Sequence, residues 1–115
     1  MIFYQYTLSI VELENEELIN KILNTITDIK SSNEDFMAIF EYSIYDCSKK
    51  KYNGKFELMG DGFWSKWSEQ MRELSAHVPD VLFKLRRETV DEEDGDDICI
   101  YYFLNGQLEF HTYQT

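Results

Sequence analysis

Residues Asp97–Tyr113, DICIYYFLNGQLEFHTY, contain the clearest structural pattern in this 115-residue chain. Two apolar runs, Asp97–Leu104 and Leu108–Tyr113, flank the dipeptide Asn105-Gly106. Asn-Gly between apolar runs is the strongest short-range hairpin pattern, because both central turn positions need a positive φ that these residues tolerate. The sequence therefore predicts a C-terminal β-hairpin.

The segments before this hairpin predict four further strands and two helices. Residues 2–11 alternate between apolar and polar positions, as a half-buried strand does. A helix should follow from the capping residue Asn15 to about Lys30, because apolar residues recur there at helical spacing. A second helix is expected from about 63–65 to Ala76. The other strands are predicted at about Phe36–Tyr45, Lys55–Met59 and Val81–Arg86.

The order of these elements predicts an α+β, ferredoxin-like fold. Strand, helix, strand, strand, helix and strand make the βαββαβ motif, in which an antiparallel sheet carries both helices on one face. The strands near 36–45 and 55–59 would pair as a hairpin, and Gly60-Asp61-Gly62 would end the second of them. The C-terminal hairpin then extends the sheet. The length of the chain predicts a single domain over residues 1–115.

The net charge of −11 is unevenly distributed along the chain. Residues 1–48 and 88–115 are strongly acidic, whereas residues 49–87 are mildly basic. Direct binding of nucleic acid is therefore not expected, since phosphate contacts need clustered Lys and Arg. The first residues lack the basic start and long apolar core of a signal peptide, and no apolar run approaches the length of a membrane span. We expect a cytoplasmic protein that contacts no membrane.

The densest charge lies between Glu88 and Asp97, where seven of ten residues are acidic. The spacing of these acids lacks the alternating ligands and distal Glu of a calcium loop, so we expect no metal site here. Clustered carboxylates instead favour steering toward a basic partner. The predicted partner-binding residues are Asp91, Glu92, Glu93, Asp94, Asp96 and Asp97.

Catalytic candidates are few. His77 is expected at the end of the second helix and His111 within the last strand. Ser75 is too close to His77 in sequence to form a triad unaided. Cys47 and Cys99 are interpreted as small buried side chains. No nucleophile elbow, phosphate-binding glycine loop or HExxH motif is present, so we expect neither an enzyme nor a cofactor.

Residues 60–110 resemble the YubB-like ferredoxin-like domains of small proteins from bacteria, plasmids and phages. The resemblance lies in Trp64–Ser75, in Val78–Phe83 with its Pro-Asp pair, and in the acidic turn Asp94–Asp97. It also includes Tyr102-Phe103 and the turn Asn105-Gly106. The resemblance implies the ferredoxin-like architecture and a mobile-element setting. It implies no activity and no catalytic residues.

Two hypotheses for function follow from charge, size and this resemblance. The first is a non-catalytic inhibitor, of the anti-CRISPR or anti-restriction type, whose anionic surface mimics phosphates and blocks a basic, nucleic-acid-binding protein such as a nuclease complex. The alternative is a self-associating structural or regulatory module without mimicry, which leaves a homodimer open. A simpler interpretation is that the acidic residues bind no partner and only keep the protein dispersed in solution.

Overall fold

The computed structural model describes residues 3–11, 16–28, 39–40, 42–45, 56–90 and 98–114. The described elements are β1 Phe3–Ile10, α1 Glu16–Asp28, β2 Glu57–Gly62, α2 Trp67–His77, β3 Phe83–Val90, β4 Ile98–Leu104 and β5 Gln107–Gln114. The strands form one sheet in the order β2-β1-β3-β4-β5, and every neighbouring pair is antiparallel. The α+β class and the antiparallel sheet are therefore confirmed.

The C-terminal hairpin is also confirmed. Strands β4 and β5 are joined by Asn105 and Gly106, whose φ angles are 50° and 78°. Both turn residues thus adopt the left-handed conformation that a two-residue hairpin turn requires. The turn is held against α2, because the backbone N–H of Gly106 donates to the Ser75 hydroxyl at 2.9 Å.

A single apolar core fills the space between the sheet and the helices. Alternate residues of the strands point to one face of the sheet, which we call the inner face, and the apolar sides of both helices pack on it. The opposite, outer face carries half-exposed polar residues such as Gln5, Thr7 and Ser9 on β1. The main inner-face residues are Tyr6, Leu8, Ile10, Leu58, Phe83, Leu85, Tyr101 and Phe103.

The strand predicted near 36–45 is wrong, because the described residues 39–40 and 42–45 are helical. Ile39 and Phe40 are buried in the core. The backbone of Ile39 lies so close to Gly60 that a Cβ atom on Gly60 would overlap the Ile39 carbonyl oxygen. A short apolar run fits a buried helix as well as a strand, and here packing against β2 selects the helix.

The ferredoxin-like arrangement is not confirmed, since the strand order differs from the one that the βαββαβ motif implies. The strand predicted at 55–59 runs instead from Glu57 to Gly62, so Gly60-Asp61-Gly62 forms the last three residues of β2 and does not follow it. Strand β2 pairs with β1, for example Leu58 with Leu8, and not with the described residues 39–40 and 42–45.

Both predicted helices are present, with small differences at their ends. Helix α1 buries Ile19, Ile22, Leu23 and Ile26 on one side, as the helical spacing indicates. Helix α2 begins at Trp67, so Trp64 precedes it. The Trp64 indole N–H is buried and donates to the side chain of Gln70 one turn into the helix. None of the helices in the described part of the chain has the length and apolar character needed to cross a bilayer.

Candidate functional site

The predicted partner-binding residues Asp91, Glu92, Glu93, Asp94, Asp96 and Asp97 lie outside the described residues. Their chain neighbours are placed. Val90 ends β3 and Ile98 begins β4, and these two strands are antiparallel neighbours inside the sheet. Glu88 is paired in register with Ile98. The strand ends that flank residues 91–97 therefore lie at the same end of the sheet.

Glu88, the first acid of this dense region, is compensated by an arginine. An Arg86 Nη1 atom donates to a Glu88 carboxylate oxygen at 3.0 Å on the outer face of β3. The two side chains are 33% and 19% exposed. Of the three cations Lys84, Arg86 and Arg87 that precede the acidic region, Arg86 is thus the one seen paired with an acid of that region among the described side chains.

Arg87 has a different environment, on the inner face at the same end of the sheet. Its guanidinium carbon lies 4.5 Å from the ring centre of Tyr4, 5.2 Å from that of Trp67 and 5.5 Å from that of Tyr101. An Arg87 Nη2 atom also donates to the Tyr101 hydroxyl at 3.1 Å. Cation–π contacts of this kind stabilise a partly desolvated guanidinium. We call these four residues, with Tyr6, the Arg87 cluster.

Tyr6 completes the Arg87 cluster from the core side. Its side chain is fully buried, and its hydroxyl makes no hydrogen bond of good geometry, although Arg87 and the backbone of Trp64 lie close enough to lower its pKa. Burial raises the pKa of Tyr6, and the nearby positive charge of Arg87 opposes that rise. The Tyr6 ring packs edge-on against Trp64, with the ring centres 5.3 Å apart.

The Arg87 cluster was not predicted from the sequence, although the sequence pattern could have identified part of it. Phe83 and Leu85 alternate on one face of β3, and continuing that alternation puts Arg87 on the inner face as well. Its aromatic neighbours cannot be found in this way. They come from β1, α2 and β4, and only the strand order brings these elements together.

Two of the three catalytic candidates, Ser75 and His77, have described side chains, and both contact backbone groups. The Ser75 hydroxyl donates to the carbonyl oxygen of Arg72 at 3.1 Å and accepts from Gly106, so it fixes the hairpin to α2. His77 is exposed, and its Nδ1 lies 2.9 Å from the Glu73 carbonyl oxygen. The side chain of His111 lies outside the described residues. Nothing within the described ranges brings Ser75 and His77 together with a carboxylate as a triad.

The remaining candidates are the two cysteines and any group of metal-binding side chains. Cys99 is half-buried with a free thiol, opposite Arg87 on β4, while Cys47 is outside the described residues. Within the described ranges, no three His, Cys, Asp or Glu side chains are grouped as metal ligands would be.

The aromatic run of β4 divides between the two faces of the sheet. Tyr101 and Phe103 are buried on the inner face. Tyr102 points to the outer face and stacks on Phe110 of β5, with ring centres 4.3 Å apart and planes inclined by 18°. Core packing therefore accounts for two of the three aromatic residues, while Phe110 remains 52% exposed at the sheet edge.

The resemblance to YubB-like domains stays a prediction. Comparisons of this chain with family models, with curated proteins and with solved structures give no match.

Proposed function

We propose that this protein is a non-catalytic, cytoplasmic binding module that blocks a nucleic-acid-binding protein by presenting carboxylates to its Lys and Arg side chains. The observation that carries the proposal is the density of acids in residues 91–97, between two strands of the sheet. Six of these seven residues are acidic. A phage or mobile-element inhibitor of a host nuclease is the setting that the small size and the YubB-like resemblance favour.

The sheet supports this proposal as a scaffold. Strand β3 is hydrogen-bonded to β1 on one side and to β4 on the other, so the residues that flank the acidic segment are held by paired strands. A binding segment whose ends are fixed loses less conformational freedom on association than a free tail does. The scaffold thus favours a defined position for the negative charge.

The charge balance supports it as well. Residues 88–115 contain eight acids and no Lys or Arg. Glu88 is already paired with Arg86, so the field at this end of the sheet depends mainly on the acids of residues 91–97. A groove that binds DNA or RNA carries clustered Lys and Arg, and a carboxylate cluster is attracted to it over about one Debye length, roughly 8 Å at physiological salt.

The decisive experiment is capture of a partner from the natural host at low salt by the full-length chain. One variant neutralises the predicted partner-binding residues, as Asp→Asn and Glu→Gln. The matched control neutralises six other exposed acids, so that both variants have the same net charge. The control residues are Glu17, Asp28, Asp61, Glu69, Asp80 and Glu109.

The proposal predicts that the first variant loses the partner and that the control retains it. Binding should also weaken as salt rises, since it depends on charge. Equal retention by both variants would remove the acidic segment from the proposal. Equal loss would mean that net charge alone attracts the partner, without a defined site.

A second candidate function, self-association, is favoured by the edge of the sheet. Among the described strands β5 has a neighbour on one side only, and edge strands present unpaired backbone groups to a further strand. The exposed Phe110 and its stacking partner Tyr102 add apolar area beside that edge. A homodimer of this kind should appear in sedimentation experiments, tolerate neutralisation of the acidic segment, and dissociate when Phe110 is changed to Lys.

A further inference from the structure

We propose that two copies of this chain pair through their β5 strands, antiparallel to each other, and join their sheets across a two-fold axis at Thr112. The inference rests on the second candidate function, self-association, and specifies its geometry. It also sets the size of the assembly, which closes at two copies. The evidence comes from β2 and β5, the two edge strands of the described sheet, because they differ in what covers them.

The edge at β2 is covered by the chain itself. The Met59 backbone N–H donates to the Ser43 hydroxyl at 3.0 Å. Because Ser43 is not part of β1, this N–H belongs to the side of β2 that faces away from β1. The Ile39 carbonyl group packs over the next residue, Gly60. A second sheet could therefore pair with β2 only by displacing the helical residues around Ser43.

The edge at β5 is open. Gln107, Glu109, Phe110 and Thr112 are all exposed along this strand. Among the described residues, no backbone hydrogen bond links β5 to an element other than β4. A further strand can therefore pair with β5 without displacing any described part of the chain.

The sequence of β5 confines its protection against pairing to its first residues. The register between β4 and β5 shifts at Glu109, which makes a β-bulge. Beyond the bulge, residues Phe110–Gln114 keep a regular register and contain no Asp, Glu, Lys, Arg or Pro. We call these five residues the regular segment. Charged side chains, proline and bulges are the devices by which edge strands usually prevent pairing, and the regular segment has none of them.

Symmetry determines how two regular segments meet. Residues that face each other in an antiparallel sheet lie on the same face of it, so the two-fold axis passes through a residue and not between two residues. With the axis at Thr112, all five residues pair: Thr112 faces the partner's Thr112, and Phe110 faces the partner's Gln114. Thr–Thr pairs across strands are favourable. An axis at any other residue leaves part of the regular segment unpaired or includes the bulge.

A second copy fits this edge better than a foreign strand does. The regular segment has no charged residue, so no opposite charge on a foreign protein would select it. Its own sequence, in contrast, pairs with itself without bringing like charges face to face. Since each copy uses its open edge and its β2 edge is covered, a third copy has no described strand to pair with.

The net charge of −11 on each copy opposes the dimer, but the geometry separates the densest charges. The acidic residues 91–97 precede Ile98, which is in register with Gln114. The Gln114 ends of two antiparallel copies point in opposite directions, so the two Ile98 residues lie about 20 Å apart. This distance exceeds the Debye length of about 8 Å at physiological salt, so repulsion between the two acidic segments is largely screened.

Sedimentation equilibrium of the full chain tests the proposal. Pairing of one short strand buries less than the roughly 1,200 Å² of a stable interface, so we expect a monomer–dimer equilibrium with a Kd on the order of 100 µM. Thr112→Lys puts two like charges face to face and should raise Kd at least about fivefold. Met59→Lys adds the same charge at an exposed position of the covered edge, and should change Kd by less than about twofold.

Disulfide trapping gives a second readout that does not depend on a weak equilibrium. Facing Cα atoms of an antiparallel pair are about 4.5–5.5 Å apart, which a disulfide can span. Mild oxidation should therefore convert Thr112→Cys into a covalent dimer. Met59→Cys and the parent chain, which retains Cys47 and Cys99, should remain monomeric under the same conditions.

Four results would overturn this inference. A chain that stays monomeric up to about 500 µM would remove self-association altogether. A dimer that responds equally to Thr112→Lys and Met59→Lys would keep self-association and reject the axis at Thr112. Species larger than a dimer would contradict the covered β2 edge. Loss of a captured host protein by Thr112→Lys, from a chain that stays monomeric, would assign the edge to a foreign strand.

Salt separates this inference from the proposed inhibitor function. Capture of a basic partner should weaken as salt rises, whereas association of two acidic copies should strengthen, because salt screens their repulsion. Neutralising the predicted partner-binding residues should likewise abolish capture without weakening the dimer. The two proposals therefore fail separately.

Discussion

Arg86 and Arg87 are consecutive residues of β3, yet they lie on opposite faces of the sheet and meet different partners. On the outer face Arg86 is paired with the carboxylate of Glu88, and both side chains retain contact with water. On the inner face Arg87 is surrounded by three aromatic rings and one tyrosine hydroxyl. The positive charge of Arg86 is thus balanced by a carboxylate, and that of Arg87 is stabilised by aromatic rings. This difference means that the two arginines should respond differently to substitution and to salt.

The largest effect expected from this contrast concerns the apolar residues of β3. Phe83 is fully buried on the inner face, so Phe83→Ala should lower the free energy of unfolding by about 3–5 kcal/mol. Lys84 is half-exposed on the outer face, and Lys84→Ala should change it by no more than about 0.5 kcal/mol. Urea denaturation followed by circular dichroism measures both. Similar values for the two variants would contradict a core on one face of the sheet.

Strand β2 offers the next test, at the position where it meets the helical residues 39–40. Gly60→Ala adds a Cβ atom that would overlap the carbonyl oxygen of Ile39. Displacing that backbone should lower the free energy of unfolding by about 1–3 kcal/mol. Met59→Ala, on the outer face, should change it by about 0.5 kcal/mol at most.

The sign of the Gly60→Ala effect is informative. At a position without such a contact, replacing glycine by alanine is neutral or stabilises a protein by about 0.4–1 kcal/mol, because the unfolded chain loses freedom. A gain in stability would therefore argue against the packing of residue 39 on β2 and restore the strand predicted near 36–45.

The same contact explains why that strand prediction failed while the C-terminal hairpin was predicted correctly. The hairpin depends on neighbours in sequence, since Asn105 and Gly106 both accept a positive φ between two apolar runs. The conformation of residues 39–40 depends on Gly60, about 20 positions away. Apolar periodicity over a short segment contains no information about such a distant contact.

The candidate sites divide in a similar way. The acidic segment is evident from composition alone, because clustered charge needs no partner to be recognised. The Arg87 cluster depends on strand order. The ferredoxin-like prediction paired the strand near 55–59 with residues 36–45, whereas β2 pairs with β1. Once the strand order is known, the alternation of Phe83, Leu85 and Arg87 along β3 places Arg87 on the inner face.

A smaller effect should separate the two arginines themselves. Arg87→Ala removes three ring contacts and a hydrogen bond, and should lower the free energy of unfolding by about 1–3 kcal/mol. Arg86→Ala should lower it by about 0–1 kcal/mol, because the Arg86–Glu88 pair is partly exposed and screened by solvent. Thermal and urea denaturation at 0.1 M salt measure both values.

Salt concentration should also distinguish the contributions of Arg86 and Arg87 to stability. Raising it to 1 M shortens the Debye length to about 3 Å, which should reduce the contribution of Arg86 further and leave that of Arg87 nearly unchanged. A coupling energy between Arg86 and Glu88 from a double-mutant cycle would isolate the pair. A loss of stability for Arg86→Ala that exceeds that for Arg87→Ala would reverse our view of the two faces.

The smallest effect at neutral pH is expected for Tyr6→Phe, which removes the hydroxyl without a partner and keeps the buried ring. At pH 7 this variant should equal the parent in stability or exceed it by up to about 1 kcal/mol, since an unsatisfied buried group is removed. A loss of more than about 1 kcal/mol would show that the hydroxyl has a partner in solution.

Alkaline pH makes the same variant more informative. Because burial raises the pKa of Tyr6, the unfolded chain ionises near pH 10 while the folded chain retains the proton. Above that pH the unfolded state binds fewer protons than the folded state, so stability falls as the pH rises. The stability of Tyr6→Phe should fall less steeply with pH than that of the parent. The stability of Tyr42→Phe, at a position 82% exposed, should follow the parent.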